Sequence, residues 1–371
     1  MKIAFKELET ASDNIQVSFD NKNTFENYDK NTALTEGIPV PDECTNLDNI
    51  VVKTDELESS NLIYEVPTDL LDGTLGYRID KRVKNLKVPE GVTSIDDSTF
   101  SGCSSLTSIE IPDSVTSIGM GAFDGCSGLT SINIPNSITF ISNSAFVSCS
   151  SLTSITIPNS VTSIEYGAFY ECSNLININI PASVTSIEES AFWGCESLTS
   201  ITIPDSVNSI EDNSFRNCSN LINIEIPTSV TSIGNNALSG CNSLTSISIP
   251  NSVTFIGCSV FEDCRNLTSI DIPEGITSIG SGTFANCSSL TSINIPDSVT
   301  SIDVYAFSGC SNLTSISIPK SVTSIGDGTF NDCSKLTSIN YKGTEIQWNN
   351  ITKGVNWNYG CPAVVNYNYV G

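Results

Sequence analysis

The chain has 371 residues, 41 acidic against 16 basic, no histidine, and a net charge of −25. That balance excludes partners bound through phosphate, since nucleic acid and anionic membranes both require cationic side chains, and no Lys or Arg stands between Lys87 and Arg216. The missing histidine removes Ser-His-Asp and Cys-His catalysis and imidazole metal ligation, and no run approaches the roughly 18 apolar residues that span a bilayer.

Residues 1–85 do not repeat and are rich in Asn, Asp, Glu and Lys. Only Ile3, Ala4 and Phe5 lie between Lys2 and Lys6, too few for the apolar core of a signal peptide, so Sec-type secretion is not expected of a chain starting at Met1. Ile15-Gln16-Val17-Ser18-Phe19 alternates as a strand. Ile50-Val51-Val52 is a second strand candidate, and Leu62-Ile63-Tyr64-Glu65-Val66 before Pro67 is a third. Together they predict a small β-rich module. It serves either as a cap on the repeats C-terminal to it or as an attachment point for a partner. Leu75 to Val83 leads into the first repeat, whose strand is Leu86-Lys87-Val88.

From residue 86 to 340 the chain repeats with a period of 23. Cysteine recurs at that step from Cys103 to Cys333, and proline from Pro89 to Pro319. One unit reads Cys103-x-x-Leu106-x-x-Ile109-x-Ile111-Pro112-x-x-Val115-x-x-Ile118-x-x-x-Ala122-Phe123. Ile109 and Ile111 share one face of a short strand, with Ser108 and Glu110 on the other. Pro112, lacking an N–H, ends it. Val115 and Ile118 return apolar groups to the interior, residues 119–121 make a turn, and Ala122-Phe123 closes the far side. A single unit cannot bury its own apolar face, so the units must stack. The prediction is a curved solenoid with a parallel short-strand sheet on one face.

These motifs resemble the BspA-type (treponemal) leucine-rich repeat, with Ser114 and its equivalents where ordinary leucine-rich repeats carry Asn or Cys. The segment Ile339-Asn340-Tyr341-x-Gly343-Thr344-x-x-Gln347-Trp348 is similar to the one that commonly follows the family's last repeat. The resemblance implies a leucine-rich-repeat fold and a binding role; several members are surface adhesins that bind matrix proteins or host cells. A fold does not by itself fix a function.

Residues 341–371 concentrate Tyr341, Trp348, Trp357, Tyr359, Tyr367 and Tyr369. They read as a cap on the last coil, with an aromatic glycan platform as the alternative. Of the 14 cysteines, eleven form the 23-residue ladder. Their parallel Cα–Cβ vectors do not suit disulfides, so they are expected to fill the core as small hydrophobes. Cys44, Cys258 and Cys361 stand outside the ladder; Cys258 sits in a variable turn where it could be exposed. No Cys-x-x-Cys pair marks a zinc site. The acid pairs Glu188-Glu189 and Glu211-Asp212 lack calcium-loop spacing. No metal or cofactor is expected.

Two surfaces could bind a ligand. The strand face carries Glu110, Asn133, Thr156, Asn179, Thr202, Glu225, Ser248, Asp271, Asn294 and Ser317, all small or acidic and poor in hot-spot types. The residue after the core Phe varies freely, and Val147, Tyr170, Trp193 and Arg216 should form one ridge, with Tyr166 a turn away. Tyr166, Tyr170, Trp193 and Arg216 are therefore the candidate ligand-binding residues; drift in a tolerant loop is the competing explanation. Phe140, Phe255 and Tyr305 are further large residues at outward positions. The function expected is non-enzymatic binding or adhesion, recognising a protein or glycan on a cell surface. The alternatives are a virion protein, such as a phage fibre or decoration protein anchored through residues 1–85, and an intracellular scaffold, which reduced thiols would suit.

Overall fold

The computed structural model describes residues 83–369 in full and, within residues 1–82, the backbone of seven short strands. The chain is a parallel-strand solenoid of about 12 turns. It divides into two units, Met1–Val161 and Thr162–Gly371.

In the first unit the strand candidates near residues 15, 50 and 62 correspond to strands Asn14–Ser18, Val51–Lys53 and Leu62–Glu65. Asn14–Ser18 pairs antiparallel with Glu26–Asp29 and with Val51–Lys53. Leu62–Glu65 instead lies parallel to Asn85–Lys87, which pairs in turn with Ser108–Glu110, so Tyr64, Leu86 and Ile109 stand in one register. Thr74–Leu75, Ser94–Ile95 and Ser117–Ile118 form a second parallel ladder. Cys44 and the lead-in at residues 76–82 lie outside the described residues.

Each full coil has three walls. The first is the Ile-x-Ile strand and the second is the two-residue Ser-Ile strand. The third is the Ala-Phe turn, where hydrogen bonds alternate in direction. Ala122, Asp124 and Cys126 N–H groups donate back three residues within the turn, while Gly121, Phe123 and Gly125 donate onward to Asn143, Ala145 and Val147 carbonyls at 2.8–3.0 Å. This alternation needs two left-handed residues per coil. In the first unit they include Gly121 (φ 60°) and Gly125 (φ 69°), and in the second Asn213 (57°) and Asn217 (59°). Gly, Asn and Ser tolerate that region best, which is why they crowd these positions.

The abundance of Ser and Thr has a structural use: many of their hydroxyls bridge adjacent coils where the strands stop. Ser114 Oγ donates to Val92 O (2.8 Å) in the first unit, and Ser229 Oγ to Val207 O (2.6 Å) in the second. Thr116 Oγ1 reaches Thr93 O (3.1 Å), and Thr300 Oγ1 reaches Thr277 O (3.1 Å). Backbone carbonyls that the strands leave open are thereby partly satisfied without charge.

The core is a set of ladders. Phe100, Phe123 and Phe146 stack at 5.0 and 5.3 Å in the first unit. Phe169, Phe192 and Phe215, then Phe261, Phe284, Phe307 and Phe330, stack at 5.4–5.6 Å in the second. Leu238 replaces the ring between the two runs and is equally buried. The ladder cysteines are buried free thiols. They do more than fill space. Cys126 Sγ donates to Phe100 O at 3.1 Å, and Cys195, Cys218, Cys241, Cys264, Cys287, Cys310 and Cys333 repeat the bond at 3.1–3.3 Å. Burial holds these thiols protonated, pushing Cys333 up to about 12.

The C-terminal stretch makes an irregular coil. Thr344 caps the short helix α1 (Glu345–Asn349): its Oγ1 accepts from Gln347 N at 3.3 Å, and Gln347 Oε1 accepts from Thr344 N at 2.8 Å. That reciprocal box gives the Thr-x-x-Gln spacing its meaning. The insertion shifts the register, so Thr352–Lys353 pairs with Ser324–Ile325 and Val364–Asn366 with Ser338–Asn340. Tyr341 and Trp348 are buried, and rings Tyr341–Trp348, Trp348–Trp357 and Phe330–Trp357 pack at 5.2, 5.9 and 6.2 Å. Tyr341, Trp348 and Trp357 thus pack together, whereas Tyr359 and Tyr369 are exposed.

Candidate functional site

The site is built from one position in three successive coils of the second unit. The residue after the core Phe sits on the outside of the turn wall, where each coil presents one side chain. Tyr170, Trp193 and Arg216 hold it in turn. Their backbones are fixed by the same bonds that build every coil: Tyr170 N to Gly167 O, Trp193 N to Ser190 O and Arg216 N to Asn213 O, at 3.0–3.1 Å. Glu171 N donates onward to Trp193 O (2.7 Å), and Gly194 N to Arg216 O (2.8 Å).

The side chains meet. The Tyr170 and Trp193 rings are 5.3 Å apart at 51°. The Arg216 guanidinium carbon lies 4.7 Å from the centre of the Trp193 ring, a cation–π contact of about 0.5–2 kcal/mol. Arg216 Nη1 is 3.4 Å from Asn213 Oδ1, and its Nε is buried with no hydrogen-bond partner among the described residues. The guanidinium is thus held mainly by the indole face, and all three side chains remain half-exposed.

Tyr166 is placed differently. It stands four residues before Tyr170, at the start of the turn, and is 51% exposed. In that row an acidic or amide side chain often closes onto the next coil's N–H, as Asp97 does to Met120 (2.6 Å) and Asp212 to Asn235 (2.5 Å). Tyr166 projects a ring from that row instead. Val147 belongs to the first unit; the stack itself is made by Tyr170, Trp193 and Arg216.

Glu171 adds strain. It occupies a left-handed position at φ 56°, unfavourable for its side chain. Gly194 makes room for it, since a Cβ there would lie 3.2 Å from Glu171 Cγ and 3.4 Å from its Cα. With Glu188, Glu189 and Glu196, it makes the surroundings acidic.

The strand-wall residues Glu110, Thr156, Asn179, Thr202 and Glu225 are exposed as their alternation requires. That wall also carries Ile176 and Ile222, 47% and 58% exposed, which the sequence reasoning missed. The signal was present: both replace the ladder Thr seen at Thr153, Thr199 and Thr245. It lay three residues before the row between the paired isoleucines. Phe140, Phe255, Tyr305 and Cys258 are exposed. Among the described residues, no group of three or more His, Cys, Asp or Glu could hold a metal ion, and no helix is long and apolar enough to cross a membrane.

A stack of short parallel strands, with one variable residue per coil on its turn wall, defines a leucine-rich-repeat protein. The model of the BspA type leucine rich repeat region matches residues 78–197, 140–268 and 254–352, in six copies. The chain belongs to this family. Among solved structures it resembles a leucine rich cell surface protein from Faecalibacterium prausnitzii, with 31% identity and a TM-score of 0.53 over 80% of this chain and 94% of that one. A leucine-rich repeat protein from Eubacterium ventriosum shares the fold at 24% identity and a TM-score of 0.53, over 78% of this chain and 86% of that one. The pneumococcal vaccine antigen PcpA does so at 19% and 0.53, over 80% and 83%. No match was found among curated proteins.

Proposed function

We propose that the protein is a non-enzymatic binding protein that offers the Tyr170–Trp193–Arg216 stack, with Tyr166 beside it, to a protein or glycan on a cell surface. One observation carries the reading. Later coils fill the same position with Ser239, Glu262, Ala285, Ser308 and Asn331, whereas three successive coils here hold Tyr, Trp and Arg, the residue types richest in interface energy. The rings are already packed together, so little side-chain freedom is lost when a partner covers them. The likeness to a protein described as a cell surface protein supports the location.

The test is binding of the labelled full chain to cultured epithelial cells, and to arrays of matrix proteins and glycans. Trp193→Ala is expected to weaken the strongest signal at least tenfold, as for an interface anchor. Ser308→Ala, at the same position four coils beyond Arg216, is expected to leave it unchanged. Equal binding by both variants would remove the stack as the site.

A further inference from the structure

The last strand of the second unit, Val364–Asn366, pairs on one side only. It ends the sheet formed with 292–294, 315–318 and 338–341, and among the described residues nothing pairs with its outer edge. In a parallel strand the N–H and C=O of a residue point to the same side, and successive residues alternate sides. Val364 N donates back to Thr337 O at 3.0 Å. The strands of the first unit follow the same rule, with Ser108 N donating back to Lys84 O (3.2 Å) and Val88 N forward to Glu110 O (2.9 Å). Val364 and Asn366 therefore face inward to the sheet. Val365 turns both its N–H and its C=O to the open edge, flanked by Ala363 C=O and Tyr367 N–H.

We propose that two copies of this chain pair antiparallel along this edge, about a two-fold axis through Val365. The edge is self-complementary. Each Val365 N–H meets the other copy's Val365 C=O, and each Tyr367 N–H meets Ala363 C=O, the reciprocal exchange of a hydrogen-bonded antiparallel pair. The turn wall at the same end cannot take this role. There each turn donates forward, as Gly328, Phe330 and Asp332 N–H do to Val355, Trp357 and Tyr359 carbonyls, so the last turn offers donors only and a two-fold axis would set donor against donor.

Charge permits a second copy of this acidic chain at this end. Between residues 341 and 369 the only acid is Glu345, against Lys342 and Lys353, so two copies that meet here bring few like charges together. Val355, Tyr359 and Val364, at this same end, are 71%, 67% and 65% exposed and supply apolar surface for association. Pro362 and the three-residue strand keep the edge short, so pairing stops at two.

Light scattering of the full chain after gel filtration, over a dilution series, tests this. A mass of twice 39.6 kDa is expected at the concentrated end. Val364→Asp, at an exposed site that leaves the fold intact by circular dichroism, is expected to shift it to monomer, as is Val365→Pro, which removes the outward N–H. In a Cys258→Ser background, Val364→Cys with Asn366→Cys is expected to cross-link on oxidation, because these two residues lie directly opposite across the axis; either change alone is not. A monomer at every concentration, a dimer that survives both edge variants, or failure of the double cysteine variant to cross-link overturns the proposal.

Discussion

Whether the buried cysteine ladder is filler or a hydrogen-bonding element can be decided at Cys218. Its Sγ donates to Phe192 O at 3.2 Å, and the same oxygen accepts Cys195 N–H at 3.2 Å. Cys218→Ala therefore leaves that carbonyl with a partner and removes one sulfur atom from a packed core. The lost transfer energy and residual cavity together cost about 2 kcal/mol. Cys218→Ser places a hydroxyl at the same site. If the donor role is right, the hydroxyl relaxes by about 0.3 Å, keeps the bond to Phe192 O, and the Ser variant loses about the same 2 kcal/mol. If the thiol is only apolar filler, the hydroxyl is buried without a useful partner and costs a further ~1–3 kcal/mol beyond Ala. Urea unfolding followed by circular dichroism reads the difference directly. A Ser variant less stable than the Ala variant by more than about 1 kcal/mol would refute the donor role.

The remaining expectations concern the same ladders. In native protein a thiol reagent should modify Cys258 rapidly and leave Cys103 to Cys333 of the ladder silent until denaturant is added; rapid modification of a ladder thiol would contradict their burial. Stability should fall in alkali. Burial raises the folded pKa of eight ladder thiols, including Cys126, Cys218 and Cys333. The protonated form is thus favoured in the fold, and its contribution is complete below the unfolded pKa of about 8.5 and lost as pH rises towards the folded values. Thermal melts should drop steeply above about pH 8.5, at up to ~1.4 kcal/mol per thiol per pH unit; a flat profile to about pH 10 would count against it. Tyr305 occupies a left-handed position at φ 56° where other coils carry Gly, Ser or Asn, so Tyr305→Asn should stabilise the chain by about 1 kcal/mol, seen as a higher urea midpoint.

Much of the fold was legible because a solenoid makes long-range contacts periodic. With a fixed step of 23, Cys218 must neighbour Cys195 and Cys241, and Trp193 must neighbour Tyr170 and Arg216. Alternation then placed Ile109 inside and Glu110 outside. The tail was less legible because helix α1 interrupts the period, and Trp348 and Trp357 find their packing partners only after that shift. Ile176 and Ile222 went unread for a simpler reason: a single Thr-to-Ile departure looks conservative for a strand until its exposure is known.

The sequence alone determined the coil, its period, the order of its walls and which side chains lie side by side. Each follows from local pattern and repetition. Only the tertiary structure decided how those neighbours use their directional groups. The Arg216 guanidinium lies over the Trp193 ring, the Cys218 thiol points at the Phe192 carbonyl of the preceding coil, and Val365 turns its backbone away from its one strand neighbour among the described residues. Hydrogen bonds and ring contacts depend on orientation within a few tenths of an ångström and a few tens of degrees, and spacing along a chain does not carry that information.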